Sequence, residues 1–125
     1  MEHRVVSEEH DGFSITADIY GMGRDILVVI QGGKPHIGAV GIAEPRPSLA
    51  DPGLISATSS VFTYLGHKED AIAKSMAEEI SRRLHCKTVA VAGAHWDNIS
   101  EQGIAAVNEI CRRLIEKIIE EVKQG

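Results

Sequence analysis

Long apolar runs, basic clusters and patterned cysteines are all missing from this chain of 125 residues. No apolar stretch approaches the roughly 20 residues that a membrane-spanning helix needs, so no bilayer span is expected. The opening residues Met1-Glu2-His3-Arg4 lack the basic segment and apolar core of a signal peptide, which makes a cytoplasmic location the expectation. Lysine and arginine never run beyond the pairs Arg82-Arg83 and Arg112-Arg113, both on expected helix surfaces. With a net charge of -5 and no basic stripe, the chain is not expected to bind nucleic acid. The two cysteines, Cys86 and Cys111, stand in no metal-type spacing. Cys111 falls on the apolar face of the last expected helix as a buried thiol, and nothing marks Cys86 as a nucleophile. No serine sits in a nucleophile elbow. No HxxxH or HxH pair presents two metal ligands on one element, and no GxxxxGK[ST] phosphate loop occurs. Internal repeats and low-complexity segments are absent too.

What is present is the pattern of one globular domain, 43% hydrophobic and 25% charged, long enough for a single core. Val5 to Glu9 and Phe13 to Tyr20 read as strands around His10-Asp11-Gly12, which carries the Asp-Gly signal of a tight hairpin. Phe13, Ile15, Ala17 and Ile19 alternate with polar partners, the period of a strand with one buried face. After the Gly21 to Asp25 turn, Ile26 to Ile30 is a β-branched run suited to a central strand. Ile37 to Ala43 follows as a fourth strand, and the short links predict an antiparallel meander. Pro45, Pro47 and Pro52 predict a loop over Glu44 to Gly53. Ser56 to Leu65 is a fifth strand. Lys68 to His85 is a helix with Ile72, Met76, Ile80 and Leu84 on one stripe, and Thr88 to Ala94 a sixth strand. Asn98 and Glu101 predict a capped start for the last helix. Its apolar stripe, widened by Ile110, Ile115 and Ile119, points to a second contact such as a homodimer partner. The expected class is α+β, a mostly antiparallel sheet with two helices packed on it, in a single domain over residues 1–125.

Three strand-like runs end in polar loops that each carry a histidine, and together they make a composed polar site. In the first, Gly32 and Gly33 let backbone approach a ligand closely, Lys34 supplies a cation and His36 a titratable nitrogen. In the second, Gly66, His67 and Lys68 precede a helix whose free amides suit a phosphate or carboxylate. Glu69 and Asp70 favour the helix dipole there, and that task is enough to explain them. In the third, His95, Trp96, Asp97 and Asn98 lead into the last helix, with Trp96 either plugging the core or stacking on an aromatic ligand. Asn98 is accounted for by capping. His36, His67, His95 and Asp97 would make a zinc shell only if tertiary structure gathered them. With neither nucleophile nor ready metal cradle, a binding module fits better than an enzyme.

The segments GGKPHIGAV, LGHKED and AGAHWDNIS, in that order, resemble the prenylated-flavin chaperone family, typified by the small D subunit encoded with gallate decarboxylase. The likeness runs from about Phe13 to Ile104 and implies a proteasome-assembly-chaperone-like fold. It further implies a non-catalytic accessory protein that holds prenylated FMN, or FMN, for UbiD-type decarboxylases. The residues carried by that likeness are Gly32, Gly33, Pro35, His36 and Gly38; then Gly66, His67, Lys68, Glu69 and Asp70; then His95, Asp97 and Asn98. Of these, Gly32, Gly33, His36, Gly66, His67, Lys68, His95, Asp97 and Asn98 are the expected cofactor contacts. Two other readings remain: a protein-assembly chaperone without a cofactor, working through the last helix and the Ser56 to Leu65 strand edge, and a small metal-dependent enzyme.

Overall fold

The computed structural model of the chain describes residues 2–64 and 69–125, the side chain of Asp70 apart. Strands β1 (His3–His10) and β2 (Phe13–Met22) form the hairpin that Asp-Gly predicts. Asp11 and Gly12 both take positive φ, 52° and 82°, the mirror-image turn whose twist matches that of paired strands. Then come β3 (Asp25–Gly33), β4 (Ala39–Pro47), β5 (Ile55–Thr63), helix α1 (Asp70–Leu84), β6 (Thr88–His95) and helix α2 (Glu101–Gln124). Five strands, a helix, a strand and a helix is the order the hydrophobic patterning predicts.

The strands make one six-stranded sheet in the order β1-β2-β3-β6-β4-β5. The expected meander is interrupted in one place. β3 and β4 are not neighbours, because β6 lies between them, parallel to β3 and antiparallel to β4. Short β3–β4 links predict adjacency only when no later strand can wedge between. Here β6 brings Ala90 and Ala92 inward and Val89 and Val91 outward, so it carries apolar residues on both faces as a central strand must.

Both helices lie on one face. Ile15, Ala17 and Ile19 of β2 and Ile26, Val28 and Ile30 of β3 meet Met76 and Ile80 of α1 and Ile110, Leu114 and Ile118 of α2 in one buried cluster. Burying such side chains stabilises the fold by about 1.5–3 kcal/mol each.

Four expectations change. The proline segment is not loop from Glu44 onward, since β4 runs to Pro47 and pairs with β5 throughout. β6 pairs with β4 only as far as Ala43, so Pro45 and Pro47 stand where β4 is paired on one side, the place a sheet tolerates proline. The described helix α1 begins at Asp70 and is closed by His85 in the left-handed conformation (φ 52°), one residue short of the expected end. Its expected first residue, Lys68, and the expected end of β5, Leu65, lie outside the described residues. Asn98 does not cap α2. It turns the chain with φ 54°, and Ser100 caps instead, its hydroxyl accepting from the Gly103 N–H at 3.0 Å. Finally, the wide stripe of α2 is used within the chain. Ile110, Ile118 and Ile119 are buried and Ile115 is partly buried, because α2 packs against both the sheet and α1. That stripe leaves no argument for a dimer partner on α2.

Candidate functional site

β3 and β6 are parallel, and β5 runs in the same direction as β6 because each is antiparallel to β4. The chain therefore leaves all three strands at one end of the sheet, and the loops that follow β3 and β6 gather there. Crevices beyond the carboxyl ends of neighbouring strands are common ligand sites in α/β sheets for the same reason.

The first and third loops are tied together by backbone and side chain. The Lys34 N–H donates to the His95 carbonyl at 2.9 Å, and the Lys34 ammonium pairs with Asp97. His95 Nε2 lies 3.1 Å from the other Asp97 oxygen. Lys34 first, then His95, holds the Asp97 carboxyl below the usual carboxylate range. His36 Nδ1 lies 3.1 Å from the Lys34 carbonyl, which fixes the imidazole over its own loop. Its Nε2 lies 2.8 Å from Glu69 Oε1, an ion pair when the imidazole is protonated, and its ring meets that of His95 edge-on at 6.0 Å.

Four glycines seat these groups. Gly33 has φ 62°, and a Cβ on it would overlap the His95 carbonyl oxygen and touch the Trp96 ring. A Cβ on Gly32 would stand 3.0 Å from the same ring. The glycine pair thus receives Trp96, which meets Phe13 edge-on at 5.3 Å and packs against the core. Trp96 serves both as plug and as wall. A Cβ on Gly38 would overlap the Glu69 carboxylate, and one on Gly93 would overlap the His36 backbone.

Beside this cluster a cavity of about 530 Å³ opens between the starts of the two helices. Ile72, Trp96, Ile99, Ile104 and Val107 give it apolar walls, and Glu69, His95, Asn98 and Asn108 its polar groups. The size and the few convergent polar groups are those of a small-molecule site. Glu69 is only 6% exposed. Such an arrangement can hold a flat, largely apolar ligand by one polar edge. The thiols lie elsewhere in the core: burial pushes Cys86 up and Cys111 up to about 11. Among the described residues no three His, Cys, Asp or Glu side chains are grouped to hold a metal ion.

Of the expected contacts, the structure brings Gly32, Gly33, His36, His95 and Asp97 together and sets Asn98 in the cavity wall. Gly66, His67 and Lys68 lie outside the described residues. Sequence reasoning passed over Glu69 as a contact, together with Gly93, Asn108 and the apolar wall. A glycine inside a β-branched strand is itself a signal of close backbone approach, and Gly93 carried it. Glu69 had no such signal, since an acid in a first helical turn is ordinary.

The chain matches known proteins along nearly its whole length. Residues 9–123 fit the family described as the prenylated flavin chaperone LpdD-like domain. Protein LpdD from Lactiplantibacillus plantarum is 30% identical over 114 residues, covering 89% of this chain and 79% of that protein. Among solved structures, a chain of the crystal structure of a novel chaperone complex for yeast 20S proteasome assembly superposes with a TM-score of 0.54 at 14% identity. The superposition covers 99% of this chain and 98% of that one, and it supports the expected α+β architecture. No helix among the described residues is long and apolar enough to cross a membrane. On the extent of the sequence match, this chain belongs to the LpdD-like prenylated flavin chaperone family.

Proposed function

We propose that the protein is a non-catalytic accessory factor that holds prenylated FMN, or FMN, in the cavity beside Trp96 and passes it to a UbiD-type decarboxylase. The observation that carries this reading is the cavity itself: about 530 Å³, walled by Trp96 and aliphatic side chains, with one buried carboxylate. A fused aromatic ring system matches those walls, since flat rings bury large apolar area and stack on aromatic faces. The family description points the same way. The flavin phosphate is assigned to the Gly66-His67-Lys68 segment, whose cation and following helix start suit an anion.

Trp96 is the only tryptophan and lines the cavity, so it reports occupancy directly. Titration with prenylated FMN and with FMN is expected to quench its fluorescence saturably, more tightly for the prenylated form. No quenching by either would overturn the flavin reading.

A homodimer forms part of the proposal, through the uncovered face of the sheet. Opposite the helices, Val29, Val91, Val40 and Phe62 form one cross-strand row and Leu27, Val89 and Ile42 another. Ile42 and Phe62 are 54% and 62% exposed. An apolar sheet face without a covering layer calls for a second one, and a copy of the same sheet supplies it. Sedimentation of the wild type should give twice 13.5 kDa, and Ile42→Asp with Phe62→Asp should return the mass to 13.5 kDa. A wild type sedimenting as a single chain would refute the dimer and leave the cavity reading standing.

A further inference from the structure

We infer that the cavity recognises its ligand through a neutral ring edge bearing an N–H donor, which Glu69 accepts, and that it excludes the phosphate from this wall. The inference rests on the flavin reading above and specifies how the ring is oriented. Glu69 is the one carboxylate lining the cavity among the described residues, and it is 6% exposed. It is held in place from two sides. His36 Nε2 lies 2.8 Å from Oε1, and the missing Cβ of Gly38 makes the room its carboxylate occupies. A side chain built in so tightly presents a fixed acceptor and cannot swing aside for a second anion.

A phosphate against a buried carboxylate would bring like charges together where solvent cannot screen them. A donor hydrogen on that carboxylate makes a charge-assisted hydrogen bond instead. Of the other polar groups of the wall, Asn98 and Asn108 carry amides that can turn an N–H toward a ligand carbonyl, while His95 has its Nε2 3.1 Å from Asp97. The wall thus sets one carboxylate acceptor beside two amides able to donate. The pyrimidine edge of a flavin is complementary, with an N3–H between two carbonyl oxygens. Oriented so, its dimethylbenzene end points away from Glu69 toward the aliphatic wall. The ribityl phosphate then leaves through the mouth.

The test compares FMN with 3-methyl-FMN, in which a methyl group replaces the one N–H hydrogen of the ring system, following Trp96 quenching. The wild type is expected to bind 3-methyl-FMN about tenfold or more weakly than FMN, the loss of one hydrogen bond to a charged acceptor. In Glu69→Gln, which keeps the shape and removes the charge, that ratio should fall to about threefold or less. Equal binding of the two probes by the wild type would overturn the inference and leave the flavin reading intact. A ratio unchanged in Glu69→Gln would also overturn it, by placing the discrimination elsewhere. Tight binding of prenylated FMN with none of FMN would do the same, because the N3–H edge is common to both. Binding of no flavin would overturn both readings together.

Discussion

Gly93→Ala is expected to destabilise the fold by about 2–3 kcal/mol, the upper range for forced overpacking, and to abolish ligand binding. The added Cβ would fall on the backbone carbonyl of His36, which no rotamer change can move. The loop cannot lift away as a unit either. It is pinned on both sides of His36, by the Lys34 N–H on the His95 carbonyl at 2.9 Å and the Gly38 N–H on the Ala92 carbonyl at 3.0 Å. Urea denaturation monitored by circular dichroism measures the loss. Gly53→Ala is the control, because its Cβ would meet only the Asp51 side chain at 3.4 Å. That change should stay within about 0.5 kcal/mol. A Gly93→Ala protein as stable as the wild type would mean that the first loop does not lie across β6.

Removing one partner of the His36–Glu69 pair should cost nearly as much. His36→Leu or Glu69→Leu alone leaves the other side chain without this contact, the Glu69 carboxylate being 6% exposed, and breaking such a pair costs about 3 kcal/mol. Replacing both residues by leucine should recover most of that loss, since a buried ion pair rarely outperforms well-packed apolar groups. The double-mutant cycle should therefore show coupling of about 2 kcal/mol, against the few tenths expected of independent positions. Additive losses would mean the two groups do not interact, and the recognition assigned to Glu69 would lose its anchor.

Both predictions concern residues that sequence patterning handles poorly, and the reason is physical. Alternation in Phe13 to Ile19 and the i+4 steps of Ile72, Met76, Ile80 and Leu84 reflect contacts along one element, so the strands and helices were legible. The Asp11-Gly12 turn is likewise local, because two consecutive positive φ values are a demand on those two residues alone. Asn98 misled for the opposite reason. Caps and left-handed turns favour the same residue, and only the backbone shows that Asn98 turns the chain while Ser100 caps it. The width of the α2 stripe misled as well, since a helix touching a sheet and another helix needs apolar residues over a broader arc than one partner requires.

Local periodicity was enough to settle the element order, the α+β class and the first and third histidine loops, because side-chain spacing along a helix or strand follows from bonded geometry. Which strands lie beside β6 depends on groups 45 to 62 residues apart, from Ala43 and Thr88 to Ile26 and Thr88. The placement of β6 between β3 and β4, parallel to β3, is a choice of that kind. That one insertion sets β3 and β6 running the same way and brings the first and third loops to a common edge. It also carries the His36 backbone across Gly93, and it is why an acid that reads as a helix-dipole partner becomes the buried wall of a cavity.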